Sequence, residues 1–218
     1  MQNATNGHQD TATLAALPFH GNLGRVVLTG FMGAGKSTVG RLLADRVGWN
    51  FLDVDCCIEA STGRSAKELF NALGEQGFRQ LESDVLASSL LKSRTIIALG
   101  GAAIDMTANQ NLLATRPRTL VVFLDAPFTT LMERCREQER TGSATYRPLL
   151  HKSDVALARF SARKSLYAAH AHVTVAVAEK SPAEVVQTIL LAMGVFGKHG
   201  KSSLSNLTNG APDHGFER

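Results

Sequence analysis

The sequence predicts an α/β protein built on a parallel sheet with helices on both faces. Short β-branched runs recur at Arg25–Thr29, Asn50–Asp53 and residues 95–99, 119–124 and 172–177, and helical patterns separate them. The runs are continuously apolar rather than alternating, as strands are when both faces are covered by crossover helices. In such sheets ligands sit beyond the carboxyl ends of the strands. The residues that follow each strand therefore carry the functional signal.

The first strand runs directly into Gly-Phe-Met-Gly-Ala-Gly-Lys-Ser at residues 30–37, and then into the helical spacing of Val39, Leu42, Leu43 and Val47, closed by Gly48. This fits Gly-x-x-x-x-Gly-Lys-Ser/Thr, the phosphate-cradling P-loop. Its glycines let successive N–H groups turn inward onto phosphate oxygens, and the helix N-terminus adds the positive end of its dipole. Gly33, Ala34, Gly35, Lys36, Ser37 and Thr38 are thus the expected nucleotide contacts. Lys36 reaches the β- and γ-phosphates and the Ser37 hydroxyl ligates Mg²⁺. The chain is expected to bind a nucleoside triphosphate.

The second strand ends in Phe51-Leu-Asp-Val-Asp55. Two residues apart on an extended segment, Asp53 and Asp55 are expected on one side. Beside a P-loop, one carboxylate can serve the metal or the attacking hydroxyl while the other holds the acceptor's remaining hydroxyls; a helix N-cap is the competing reading. Ser65-Ala-Lys-Glu68 is a capping box. The helix that follows buries Phe78 and Leu81, with Arg79 and Glu82 three apart on an adjoining face, where a surface ion pair is the default.

Beyond the third strand, Leu99-Gly100-Gly101-Ala102 permits close backbone approach to a ligand, or forms a plain turn. Pro127 reads as the first residue of a helix after Asp125. Residues 138–152 are small and polar, carry Arg140 and Arg147, and have Pro148 holding Arg147 extended. They read as a mobile lid, with an ordinary surface loop as the alternative. After the fifth strand, Ser181-Pro-Ala-Glu184 is a second capping box with Pro at the first helical position.

Composition bounds the rest. Of 218 residues, 1–23 and 197–218 are polar without apolar periodicity and read as disordered tails around one domain at 24–196. Three cysteines make no disulfide framework and fit the reduced cytoplasm as small buried hydrophobes. No apolar stretch approaches a membrane span, and no Lys or Arg precedes Arg25 to make a secretory n-region. The net charge of +4 suits anionic ligands, but its cations are scattered, without the basic stripe of a nucleic-acid surface. His170 and His172 have no third ligand at a spacing that suggests zinc.

Taken together, these motifs resemble the shikimate kinases of the nucleoside monophosphate kinase-like P-loop group. The likeness runs from about Arg25 to Met193, through the P-loop, Phe-Leu-Asp-Val-Asp55, Gly74-Glu-Gln-Gly-Phe-Arg79, Gly100-Gly101, Arg147-Pro-Leu-Leu150 and Arg163-Lys-Ser-Leu-Tyr167. The resemblance implies a five-stranded, three-layer α/β/α P-loop kinase fold with a lid, and transfer of the ATP γ-phosphoryl group to the 3-hydroxyl of shikimate in a cytoplasmic monomer. It implies that Asp55 bonds ring hydroxyls, that the Gly101 backbone faces the substrate, and that Arg79 and Arg163 clamp its carboxylate. Guanidinium forks suit that planar anion. It further implies that Arg147 approaches the transferring phosphoryl, that Arg140 and Lys180 lie near the base or ribose, and that Asp53 serves Mg²⁺ through water or accepts the hydroxyl proton. Lys36, Mg²⁺ and Arg147 would supply most of the charge neutralisation. Two positions depart from the pattern: Ala102 stands where the family has a third Gly, costing about 1–2 kcal/mol if φ is positive there, and Ser165 replaces a Pro. A gluconate-type kinase and a non-catalytic ligand-sensing domain are the alternatives.

Overall fold

The computed structural model describes residues 22–141 and 152–199. Its strands are β1 (Arg25–Thr29), β2 (Asn50–Asp53), β3 (Thr95–Ala98), β4 (Thr119–Asp125) and β5 (Val173–Ala176), joined in one parallel sheet in the order β2-β3-β1-β4-β5. Val27 at the centre pairs with Ile97 on one side and Val121 on the other. β1 and β3 are buried throughout, as their unbroken apolar runs require, whereas the edge strand β5 alternates. The expected strand ends shift slightly: β3 stops at Ala98, β4 runs on to Asp125, and β5 is shorter at both ends. Leu99 still donates its N–H to Leu28 O at 3.0 Å, so pairing outlasts the β3 ladder.

Each crossover begins close to a strand's carboxyl end. Helix α1 (Lys36–Val47) starts at the P-loop lysine, buries Val39, Leu43, Ala44 and Val47, and is closed by Gly48 at φ 65°. Helix α2 (Val54–Thr62) follows β2 without a linker. Helix α3 (Ala66–Ser89) opens with the expected capping box at Ser65 and Glu68 and breaks at Gly74. A 3₁₀ turn at Ala103–Asp105 leads into α4 (Thr107–Thr115). Helix α5 (Phe128–Arg140) begins after Pro127, which is its N-cap rather than the expected first helical residue, because the Pro backbone stays extended at ψ 144°. Helix α6 (Ser153–His170) precedes β5. Helix α7 (Pro182–His199) carries the second capping box, with the Glu184 N–H donating to Ser181 Oγ at 3.3 Å, and continues past residue 196.

The layers are α/β/α. Helices α1 and α7 pack on each other and on the sheet, while α3, α4 and α6 contact one another and α6 lies against β4. The core joins Val26, Leu28, Ile96 and Val122 to Leu43, Leu86, Tyr167, Ile189 and Met193. Burial of each such side chain contributes about 1.5–3 kcal/mol. Cys135 is buried as expected, but Cys56 is exposed and Cys57 half-buried, because α2 turns only Val54 and Ile58 fully inward. His172 serves the sheet: its Nδ1 accepts from the Val121 N–H at 2.9 Å. Among the described residues no helix is long and apolar enough to cross a membrane.

Candidate active site

The P-loop spans the gap between β1 and α1. At Gly33 (φ 80°) a Cβ would stand 2.3 Å from Leu131 O and 3.0 Å from Cys135 Sγ, so α5 presses against the back of the loop and admits only glycine. Lys36 Nζ donates to Gly30 O at 2.8 Å and to Phe31 O at 3.0 Å. The ammonium is thereby folded over the loop that precedes it, where phosphate oxygens would meet both the amine and the inward N–H groups.

Asp53 and Asp55 do not share an extended segment. The strand ends at Asp53, which is the N-cap of α2, and Asp55 lies in the first helical turn. The chain turns there because the Asp53 carboxylate satisfies a helix-start donor: its Oδ1 accepts from the Asp55 N–H at 3.2 Å. Its other oxygen, Oδ2, accepts from Ser37 Oγ at 2.5 Å. Both carboxylates line the same cavity as Lys36 and Ser37. Capping and site thus coexist at Asp53. Burial, reinforced by the Asp53 charge, pushes the Asp55 carboxyl up to about 6.

The opposite wall is built of arginines held by acids. Past Gly74, the second half of α3 sets Glu75, Phe78, Arg79 and Glu82 on one stripe. Arg79 Nη1 donates to Glu82, and its guanidinium lies 5.4 Å from the Phe70 ring centroid and 5.6 Å from that of Phe78. This is not the surface pair expected from spacing: the Glu82 side chain is 2% exposed and that of Arg79 13%. Burial drives the Glu82 carboxyl up to about 7 against the opposing pull of Arg79. Arg159 Nη1 reaches across from α6 to Glu75 Oε1 at 3.1 Å.

Glu82 also explains the glycines after β3. A Cβ on Gly100 would lie 2.1 Å from Glu82 Oε1 and 3.1 Å from Asp55 Oδ1, so this glycine admits two carboxylates of the protein itself. Gly101 stands beside the P-loop, its ideal Cβ position 3.6 Å from Gly30 O, and its carbonyl accepts from the Tyr167 hydroxyl. Ala102 has φ −100° and ψ −6°, so the strain foreseen for a positive φ does not arise. One turn before Tyr167 on α6, Arg163 turns towards the same cavity and is gripped from behind by Asp105.

These side chains surround a cavity of about 800 Å³, lined among others by Lys36, Ser37, Asp53, Asp55, Arg79, Gly101 and Arg163. A second hollow of about 610 Å³ lies on the other side of the P-loop, lined by Gly33, Ala34, Gly35, Thr38, Gln138 and Lys180. Lys180 is thus brought to the P-loop. Arg140 is not: it is exposed and pairs with Glu137, Nη2 to Oε1 at 2.6 Å. Arg147 lies outside the described residues, as does most of the expected lid. Sequence reasoning did not single out Asp105 or Arg159, which have no local motif; the 75-78-79-82 spacing held the signal for Glu75.

Ser37 and Asp53 offer a hydroxyl and a carboxylate side by side. No group of three or more His, Cys, Asp or Glu able to cage a metal occurs among the described residues. The adjacent Ser37 hydroxyl and Asp53 carboxylate fit Mg²⁺, which takes one or two protein oxygens and completes its shell with phosphates and water.

Comparison with known proteins agrees with this geometry. The family model described as shikimate kinase matches residues 32–194. The shikimate kinase of Symbiobacterium thermophilum is 39% identical over 180 residues, covering 80% of this chain and 99% of that protein. The solved shikimate kinase of Acinetobacter baumannii in complex with shikimate superposes with a TM-score of 0.69 at 34% identity, over 78% of this chain and 93% of that one. That of Aquifex aeolicus gives 0.66 at 35%, over 81% and 99%. A family match from the P-loop into α7, and relatives covered almost end to end, leave one assignment: the chain belongs to the shikimate kinase family.

Proposed function

We propose that the cavity of about 800 Å³ is where this chain transfers the γ-phosphoryl group of ATP to the 3-hydroxyl of shikimate, releasing shikimate 3-phosphate and ADP. One observation carries the reading: the P-loop pair Lys36 and Ser37 opens on the same cavity as Asp55, Arg79 and Arg163, which come from three further segments of the chain. Arg79 and Arg163 grip the carboxylate, and Asp55, once ionised, accepts hydrogen bonds from the ring hydroxyls. The Gly101 backbone borders the bound ring. Gly35 and Thr38 would turn their N–H groups to the phosphates, whereas the Ala34 N–H donates within the loop to Phe31 O at 3.3 Å. Lys180 stands by the nucleoside in the second hollow, and Arg140 would reach it only by leaving Glu137.

Lys36 leaves its carbonyl partners to neutralise charge on the β- and γ-oxygens, and Arg147 does the same from the lid. In a loose phosphoryl transfer this positioning and neutralisation make up most of the catalysis. Ser37 and Asp53 would hold Mg²⁺, whose chemistry there is charge neutralisation on the phosphate oxygens. The bond between them supports Asp53 as the metal-serving carboxylate. We read residues 22–199 as one catalytic domain, since α7 runs on to His199 and Leu23 is buried in the core. It would act as a cytoplasmic monomer on a small molecule, without nucleic acid or membrane as partner.

A coupled assay with ATP, Mg²⁺ and either shikimate or gluconate tests this reading. Turnover with shikimate alone is expected, and Arg163→Lys raises the shikimate KM at least about tenfold while the ATP KM stays within about twofold. Equal turnover of gluconate, or none of shikimate, refutes the assignment.

A further inference from the structure

Arg163 is held by a partner that stands outside the cavity. Asp105, the last residue of the 3₁₀ turn after Gly100-Gly101-Ala102, takes the Nε–Nη2 edge of the guanidinium. Nε donates to Oδ1 at 2.9 Å and to Oδ2 at 3.0 Å, and Nη2 donates to Oδ2 at 2.6 Å. Arg163 lines the cavity and its side chain is only 6% exposed, whereas Asp105 is absent from the lining and is 39% exposed on the outer side. The carboxylate therefore approaches from behind. A guanidinium has two edges able to bind a carboxylate bidentately. With the side-on edge taken by Asp105, the Nη1–Nη2 end is the one left to face the cavity.

A second bond holds the same two segments together. Four residues along α6, and so on the same helix face, the Tyr167 hydroxyl donates to Gly101 O. The tyrosine is completely buried, its ring 5.1 Å from that of Phe123. The backbone beside the P-loop and the helix carrying Arg163 are thus tied at two points. One point is a neutral bond deep in the core, the other a charged bond at the rim. Only the charged one controls the rotation of the guanidinium.

We propose that Asp105 is a positioning residue for substrate recognition: it fixes the Arg163 fork end-on to the cavity, so that an incoming substrate carboxylate meets it without first ordering a long flexible side chain. This rests on the reading of Arg163 as a carboxylate clamp. A free arginine loses rotamer entropy when it is ordered, and prior ordering by Asp105 removes most of that loss from the binding step. The substrate's hydroxyl and phosphoryl chemistry is untouched. The effect therefore falls on shikimate affinity and spares both kcat and ATP.

The test is steady-state kinetics on the full chain for Asp105→Ala, Asp105→Asn and Asp105→Glu, each also combined with Arg163→Ala. Asp105→Ala is expected to raise the shikimate KM about fivefold, with kcat and the ATP KM within about twofold. Asp105→Asn, which keeps the shape, should fall between Ala and the original, and Glu should recover part of the loss. In the Arg163→Ala background, Asp105→Ala should have no further effect. An unchanged or lowered shikimate KM in Asp105→Ala and Asp105→Asn would mean that the carboxylate is idle or competes for Arg163, and overturns the proposal. A loss that persists undiminished in the Arg163→Ala background overturns it too, by making Asp105 merely structural. If Arg163→Ala itself leaves the shikimate KM unchanged, the clamp reading fails instead.

Discussion

The Ser37 hydroxyl donates to Asp53 Oδ2 at 2.5 Å, joining the last position of the P-loop to the first cap of α2. This bond crosses from the carboxyl end of β1 to that of β2, over the intervening β3. It makes one oxygen-rich corner out of two motifs that are separate in the chain.

Replacing Asp53 by Asn should therefore disturb the metal corner while leaving the acceptor contacts. The expected result is a fall in kcat on the order of 10²-fold, with the shikimate KM within about twofold and half-maximal activity displaced to higher Mg²⁺. Initial rates measured across a Mg²⁺ series check this. A shikimate KM that rises as steeply as kcat falls would assign Asp53 to the acceptor instead.

Recognition of the acceptor should depend on pH through Asp55. Burial, aided by the Asp53 charge, raises its carboxyl to about 6. The ionised form accepts through both oxygens and more strongly than the protonated one, so the shikimate KM should fall as pH rises through about 6 and level off above about 7. Asp55→Asn should bind weakly at every pH with a flat profile. A profile of unchanged shape in that variant would point to another group.

Stability should carry the opposite sign, through Glu82. Its folded carboxyl is raised from 4.5 to about 7 by burial, so between those values the folded chain keeps a proton that the unfolded chain has released. Its stabilising contribution is full below the lower value and declines as pH rises through the upper one, by up to about 3 kcal/mol. Denaturant melts from pH 4.5 to 8 should show a decline that Glu82→Gln flattens. Equal slopes in the two proteins would refute the raised carboxyl.

Gly100 and Ala102, which differ only by a methyl, should both lose stability on exchange but differ in their effect on the substrate. Gly100→Ala drives a Cβ into the space of Glu82 Oε1, and should cost about 1–3 kcal/mol and raise the shikimate KM by displacing Arg79. Ala102→Gly removes a buried methyl from an unstrained backbone. It should lower stability by about 0.5–1 kcal/mol, with KM unchanged. Thermal melts and shikimate kinetics on both variants decide; a stabilised Ala102→Gly would contradict the negative φ.

How much was legible beforehand depended on whether the signal was local. The P-loop announced itself because its function needs particular residues at fixed spacing on one turn, and the capping boxes at Ser65 and Ser181 because they close within four residues. Asp53 ends β2 as the sequence predicts, but Asp55 lies in α2 rather than on the same extended segment, since nothing in Phe-Leu-Asp-Val-Asp55 says where the strand yields to the helix. Glu82 looked like a surface partner because a three-residue spacing is the same on a buried stripe as on an exposed one. Asp105 could not be found at all: its partner lies fifty-eight positions away.

By itself the amino-acid order determined the parallel α/β layering, the phosphate loop and the family likeness, because hydrophobic periodicity, glycine spacing and caps act between near neighbours. Tertiary structure alone decided that Glu82 is buried against Gly100, that Ala102 is unstrained, and that Arg163 meets Asp105 behind the cavity wall. Those outcomes depend on how helices α3 and α6 pack around the end of β3, and packing brings together residues whose separation along the chain carries no trace of their contact.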